Sequence, residues 1–415
     1  MNRPTTSDPT NTWVTDAKGV RAWLLYDLAN TIFAFGVTGL YFAEWIHLDQ
    51  GLSDSYLAIP TSIAMILIIF LGPWTGARTD HTGRRVPTII FGTIATVGAT
   101  FFLASGTVTS AIALYMVALI GFNLASIAYD AMLPDVSNGR IGRLSGLGVA
   151  IGYLGSFVGF GVGLAMLGPL DQGYEGVFRG IAVAFLLLAL PIFRTKEPPR
   201  KQADGPAPRL RDVFITLWNS WVEAGDVPGM RRYLFGRFMY TDAINTLIGG
   251  FLAIFVTAEL DFTPDEVVVL LTVSILFAIL GGYLASVLVD RVGARKYVHG
   301  MLYLWMLAIS AGVAAALFDL GPLVWGLAAA GGVALGGLWA SDRTYLADLA
   351  PDHQYGLFFG LYGTVGRFAT VVGPLVWAII VDGLELPRTV AMGSLVVALV
   401  GARLILQGVP KAELP

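Results

Sequence analysis

The pattern Asp-x-x-Gly-x-Arg occurs twice in this chain, as Asp80-His81-Thr82-Gly83-Arg84-Arg85 and as Asp290-Arg291-Val292-Gly293-Ala294-Arg295, 210 residues apart. Each copy directly follows a long apolar run. A charged, glycine-broken turn between two hydrophobic stretches reads as an aqueous hairpin between membrane helices. Its return at about half the chain length points to a duplicated bundle.

Composition agrees with this. Of 415 residues, 55% are hydrophobic and only 13% are charged, with a mean hydropathy of +0.70. Soluble domains carry roughly 25% charged residues, so the apolar surface here must be buried in lipid. The absence of cysteine excludes disulfides, iron–sulfur clusters and thiolate zinc sites. The four histidines are scattered, no Gly-x-x-x-x-Gly-Lys loop is present, and Gly146-Leu147-Gly148 with Gly152 misses the dinucleotide fingerprint by one residue. No cofactor, no metal and no nucleic-acid partner is therefore expected, and an enzyme reading has no nucleophile–base constellation behind it. The polar start predicts no cleaved signal peptide.

Crossing a hydrocarbon layer about 30 Å thick takes about 20 apolar residues. On that criterion helices are expected near 22–46, 55–77, 86–105, 109–133, 143–168 and 176–194, and again near 232–258, 264–289, 297–318, 321–346, 355–381 and 388–407. The expected fold class is an all-α membrane protein with twelve transmembrane helices in two six-helix pseudo-repeats. Its organisation is a cytoplasmic segment 1–21, a bundle 22–194, a linker 195–231, a second bundle 232–407 and a tail 408–415. In the linker, Leu210, Val213, Phe214, Leu217, Trp218, Trp221 and Val222 form one stripe of an amphipathic helix, expected flat on the membrane surface; packing on a soluble partner is the other reading. Arg and Lys concentrate on the side of the amino terminus, while the opposite loops carry Asp49, Asp54, Asp171, Glu175, Asp261, Asp265 and Asp382. By the positive-inside rule both termini are cytoplasmic, and the expected location is a bacterial cytoplasmic membrane.

The duplication extends beyond the turn. Asp27 and Asn30 match Asp242 and Asn245 at an offset of 215, Asp135 matches Asp348 at 213, and Gly146 and Gly159 match Gly360 and Gly373 at 214. Parallel repeats of this kind belong to rocking transporters. At these residues the chain resembles the major facilitator superfamily, whose loop signature reads Gly-x-x-x-Asp-Arg-x-Gly-Arg-Arg. Gly76, Asp80, Gly83, Arg84 and Arg85 match it, with His81 in place of Arg; in the second copy Asp290, Arg291, Gly293 and Arg295 match, with Ser286 in place of the first Gly. Tyr26-Asp27-Leu28-Ala29-Asn30, Leu133-Pro134-Asp135 with the glycine-rich stretch from Arg143 to Tyr153, and Phe358-Phe359-Gly360-Leu361-Tyr362 resemble the UMF1, or Atg22-like, branch.

Ionisable groups inside membrane helices are costly and so are candidates for function. Asp27 with Asn30, and Asp242 with Asn245, each share a helix face a short way in from Arg21 and Arg237, which read as basic anchors. They are read as lining a cavity for substrate or a coupling proton, or else as tying their helices to neighbours by hydrogen bonds or pairing across the half-interface with a nearby Arg. Arg367 lies about twelve residues into the eleventh helix, opposite Tyr153 in the repeat. Its guanidinium needs an anion, either a substrate carboxylate or phosphate or a permanent partner such as Asp27 or Asp242. Asn123 and Asp130 share a face of the fourth helix. Glu44 reads as an interfacial carboxylate in water, with a protonatable coupling group as the other reading. The resemblance implies a cytoplasmic gate. Asp80 would face the helix beginning near Tyr355, Arg84 or Arg85 would meet Asp130, and Asp290, Arg291 and Arg295 would serve the second half.

The expectation is a secondary transporter for a small anionic or zwitterionic solute. The resemblance implies export and amino acids. The expected partners are that solute, the bilayer and protons as coupling ion, in a monomer. A non-transporting scaffold or sensor, or a multidrug or organic-anion exporter, are the alternatives.

Overall fold

A computed structural model describes residues 17–136, 141–197, 209–351 and 355–410. The segments 1–16, 198–208 and 411–415, which hold most of the expected amino-terminal segment, part of the linker and most of the tail, lie outside the described residues. In hydrocarbon every backbone polar group must be satisfied within its own segment, and the apolar runs accordingly form helices. They are α1 (Lys18–Asp49), α2 (Ser55–Thr82), α3 (Val86–Phe101), α4 (Val108–Val136), α5 (Ile141–Leu167) and α6 (Gly173–Phe193). After the short α7 (Leu210–Glu223) follow α8 (Met230–Leu260), α9 (Pro264–Val292), α10 (Ala294–Leu317) and α11 (Leu323–Leu349). The last are α12 (Tyr355–Phe368), α13 (Val372–Ala378) and α14 (Arg388–Gln407). By length and composition, ten spans among the described residues can cross a membrane, α12 and α13 contributing to one of them; Val86–Phe101 and Ile151–Leu167 are shorter apolar helices.

Large apolar side chains such as Phe91, Leu307 and Val397 point outward. That is the surface a bilayer solvates and water would not. Within the first half of the chain α3 and α2 pack on α4, α3 packs on α6, and α1 packs on α5 and α6. Within the second half α10 and α9 pack on α11, α10 packs on α14, and α8 packs on α12, α13 and α14. Glycine makes the tightest approaches possible. A Cβ on Gly155 of α5 would lie 2.2 Å from the Leu28 carbonyl oxygen of α1, and one on Gly336 of α11 would lie 1.8 Å from the Ala278 oxygen of α9. The glycine rows are therefore packing surfaces.

Among the described residues, three of the expected helices are irregular. α1 is π-helical over Ile32–Tyr41 and Trp45–Asp49. α8 breaks at Gly249–Gly250, where Gly250 takes φ +102° against the Thr38 carbonyl of α1. The expected single helix 355–381 is interrupted between Phe368 and Val372. Pro374 explains the interruption: it falls in the first turn of α13, where its missing N–H costs nothing, and it cannot donate back to continue α12.

The linker helix α7 rests on α2 and α12, with Phe214 5.2 Å from Phe70. Val213 is buried, while Leu210, Trp218 and Val222 of the expected stripe remain exposed. Phe214, Leu217, Trp218 and Trp221 border an apolar cavity of about 380 Å³ that α7 shares with α8 and α12.

Candidate functional site

The bundle interior gathers charge from both halves of the chain. Asp130 on α4 faces Arg367 on α12, Oδ2 to Nη2 at 4.0 Å, and both are open to solvent, with 68% and 29% of their side chains exposed. Arg343 on α11 lies in electrostatic reach of Asp130 and of Asp27 on α1. Asp27 is half-buried against α5, where a Cβ on Gly152 would meet its Oδ2 at 2.6 Å. Here the structure corrects an expectation, since the acid beside Arg367 is Asp130 and neither Asp27 nor Asp242. At 4.0 Å the pair is loose, so its hydrogen-bonding capacity is left for water or a solute.

Asp242 and Asn245 serve the gap between α12 and α13. Asn245 donates Nδ2–H to the Ala369 carbonyl at 2.7 Å and to Thr370 Oγ1 at 3.0 Å. The Asp242 carboxylate is buried and aimed at the backbone of Val371, Val372 and Gly373, where α13 begins. Ser62 of α2 donates to the Val371 carbonyl at 3.0 Å. Of the two readings open for this pair, the contacts are those of a tie between helices. Asn30 is also buried, with Oδ1 lacking a partner among the described residues. Asn123 donates Nδ2–H to its own helix at Leu119, 2.9 Å away, and Tyr153 meets Phe35 edge-on at 6.3 Å.

At the first signature loop Gly83 ends α2 with φ +66°, a left-handed cap that favours glycine. Gly76 upstream packs toward Ile127. Arg85 is the engaged residue. Its Nη1 lies 2.6 Å from Asp135 Oδ2 and donates to the Ala131 carbonyl, its backbone N–H donates to Glu197, and Asp80 stands 3.6 Å from Nη2. Burial pushes this guanidinium below its usual range, Asp80 and Glu197 oppose that, and it stays charged. Arg84 is exposed. The expected Arg84 or Arg85 contact with Asp130 is thus replaced by Asp135. Asp130 lies five residues earlier on α4, about 7.5 Å deeper and turned by roughly 140°, so it faces the bundle axis and not the loop. Asp80 is 70% exposed; the side chains that begin α12, its expected partner, lie outside the described residues. In the second copy Gly293 has φ +85°, Arg295 donates to the Gln407 carbonyl at 2.9 Å, and Asp290 and Arg291 are exposed.

Two clusters escaped the sequence reading. Arg237 is no interfacial anchor: it is buried, with Nε 2.8 Å from the fully buried Asp342 of α11. Asp342 also accepts from Tyr233 at 2.7 Å, from Tyr362 at 2.9 Å and from Tyr240, and Arg237 stacks 3.5 Å over the Tyr362 ring. The signal was present, because Tyr233, Arg237 and Tyr240 recur at helical spacing opposite an Asp in an apolar run. The second cluster joins the two halves at the end opposite the signature loops. Arg388 grips Asp54 with two hydrogen bonds, at 2.9 Å and 2.8 Å, and Trp377 Nε1 donates to Asp54 at 2.8 Å. Asp382 accepts from the Ser55 backbone at 2.6 Å and from its hydroxyl. Loop charges of this kind give no pairing signal in sequence.

Comparison with known proteins identifies the architecture. Residues 136–409 match the family described as vacuole effluxer Atg22 like, and residues 26–241 match the Major Facilitator Superfamily. The uncharacterised MFS-type transporter YxiO of Bacillus subtilis (strain 168) is 26% identical over 414 residues, covering 95% of each chain. Autophagy-related protein 22 of Kluyveromyces lactis is 23% identical over 328 residues, covering 71% of this chain and 66% of that one. Among solved structures, a mutant of the nucleoside transporter NupG superposes with a TM-score of 0.71 at 10% identity, covering 94% of this chain and 99% of that one. A bacterial homologue of the human lysosomal transporter Spinster, inward-facing and unoccupied, superposes with a TM-score of 0.68 at 17% identity, covering 97% and 98%. At those identities the likeness shows the fold. The family matches, spanning most of the chain between them, show that this membrane protein belongs to the major facilitator superfamily of transporters, in its Atg22-like branch.

Proposed function

We propose that the protein is a secondary transporter that works by alternating access and exports a small anionic or zwitterionic solute, with amino acids as the substrate class. The observation that carries this reading is the loose, solvent-open pair Asp130–Arg367, set between the two halves of the chain at 4.0 Å. A zwitterion satisfies both members at once, its carboxylate on Arg367 and its ammonium on Asp130 or Asp27. Each such charge-assisted contact contributes roughly 1.5–3 kcal/mol. The matched family's description as an effluxer supports export.

The mechanism requires two bodies. The helices pair in the same pattern within each half of the chain, which supports twelve spans arranged as six-helix bundles over 22–194 and 232–407 around the linker 195–231. With basic residues clustered on the loop side of Asp80, both termini face the cytoplasm of a bacterial membrane. The Asp54–Arg388 end is then the closed outer gate, and the loops carrying Asp80 and Arg85, and Asp290, Arg291 and Arg295, form the cytoplasmic one. With no phosphate-binding loop in the sequence, the energy comes from a gradient, with protons as the coupling ion, and one chain suffices. A thermal-shift screen of the purified protein against amino acids, nucleotides and organic anions tests the reading, since a ligand of the folded state raises the melting temperature by mass action. An amino acid should stabilise the wild type and not Arg367→Ala. Stabilisation by no solute, or equally in both proteins, would refute it.

A further inference from the structure

Glu44 is a buried carboxyl without a counter-charge among the described residues. Only 2% of the residue is exposed, which replaces the expected interfacial position in water. Neither Oε1 nor Oε2 has a hydrogen-bond partner among the described residues. The Tyr174 phenol approaches from α6 outside hydrogen-bond geometry, and the neighbouring Tyr41 phenol is taken up by the Phe160 carbonyl at 2.9 Å. The charged neighbour is an acid: Asp265, in the first turn of α9 and in the other half of the chain, faces Glu44 electrostatically.

The local backbone is equally particular. Phe42–Glu44 is a three-residue α-helical segment between two π-helical stretches, and π-helical turns recur at functional positions. Ala43 beside it abuts the break of α8 at Gly250, where a Cβ would lie 2.9 Å away. Glu44 thus follows, by one residue, a close approach between the two halves of the chain.

An unpaired carboxylate in such a site is strongly disfavoured, and an ionised Glu44 would also repel Asp265 in the other half of the chain. We propose that Glu44 is a proton-binding site that couples opening of the Asp54 end to proton exchange, a role resting on the alternating-access reading above. With that end sealed, the carboxyl keeps its O–H bond. When the end opens, water reaches it, the O–H bond breaks, the proton leaves to that aqueous side, and the carboxylate disfavours resealing until a proton returns. Low pH therefore favours the sealed end and high pH the open one.

The absence of native cysteine permits spin labels on Leu48→Cys and Leu384→Cys, both exposed at this end. Distance distributions would be recorded in lipid nanodiscs from pH 5 to pH 9. In the wild-type background the population ratio should move toward longer distances as pH rises, by up to about tenfold per unit, the limit for one proton. Glu44→Gln should hold the acid-side distribution throughout. His47, which lies near Arg388 and Asp54, is the competing titrating group, and His47→Gln should leave the response in place. Asp265→Asn, at an exposed site, should give a smaller response than wild type and keeps the test valid if Glu44→Gln does not fold. A wild-type pH response retained in Glu44→Gln, an undiminished one in Asp265→Asn, or none in the wild type would overturn the proposal. A distance change on adding a stabilising solute, with no pH response, would leave alternating access standing and remove only Glu44.

Discussion

Asp54 and Arg388 meet through two hydrogen bonds, Nε to Oδ2 at 2.9 Å and Nη2 to Oδ1 at 2.8 Å, although 334 residues separate them. Asp54 has no solvent exposure at its side chain, and Trp377 occupies Oδ2 as well. The geometry is the paired, planar arrangement that arginine forms with carboxylates, and it ties the first half of the chain to the last helix. Glu259 adds a weaker contact to Arg388 at 3.9 Å.

Removing one partner of this pair should cost about 3–5 kcal/mol in the conformation shown, because a buried charge is left behind. Asp54→Asn and Arg388→Ala should each lower the melting temperature. The double variant should fall well short of the sum, with a coupling of at least about 1 kcal/mol. Strictly additive losses would mean that the pair contributes nothing to closure.

Asp342 is the most completely satisfied carboxylate among the described residues. Asp342→Asn leaves Arg237 buried and uncompensated, and a loss of about 3–5 kcal/mol is expected in chemical unfolding. Replacing both by apolar residues, as Arg237→Met with Asp342→Leu, should be less damaging than Asp342→Asn alone. A double variant worse than the single would mean that the tyrosine hydroxyls depend on the acid more than the arginine does.

In the solvent-open pair the expectation is reversed. Asp130→Asn and Arg367→Ala should change stability by less than about 1 kcal/mol, as loose exposed pairs contribute little. They should weaken ligand binding at least about tenfold. Loss of fold in place of loss of binding would move the pair into the structural class.

Asn245→Ala deprives the Ala369 carbonyl and Thr370 of their donor at the gap between α12 and α13, and should destabilise by about 1–3 kcal/mol. Asn30→Ala removes a group whose Oδ1 already lacks a partner among the described residues, so its effect should be smaller. Equal effects, measured by thermal unfolding of the two variants, would argue that the repeated pair does the same job in both halves.

At the first signature loop Arg85→Ala should be clearly more harmful than Arg84→Ala, since Arg85 holds Asp135 and Glu197 while Arg84 is exposed. The expected costs are about 1–3 kcal/mol against about 0.5 kcal/mol or less. Comparing Tm and expression of the two variants checks the order.

Much of this was legible in the chain because lipid imposes it. The length of the apolar runs set the helices to within a few residues, and α2 with its Gly83 cap lies where the Asp-x-x-Gly-x-Arg turn places it. The amphipathic stretch 210–222 is a helix, as its spacing predicts. Pairing was far less legible. Asp130 and Asp135 are both acids near the end of α4, and one-dimensional spacing gave no reason to prefer Asp135 for Arg85. Arg237 looked like an anchor because its partner lies 105 residues away on another helix.

The sequence by itself determined that this is a helical membrane protein, the approximate bounds of its helices apart from the break between Phe368 and Val372, and the superfamily whose signature loops it carries, since hydrophobic length and turn glycines act locally. Only the tertiary structure decided which charges meet: Asp54 with Arg388, Asp342 with Arg237, Asp130 beside Arg367, and Glu44 with none among the described residues. The physical reason is that the interaction of two charges depends on their separation and on the water excluded around them. Neither quantity exists until the helices have packed.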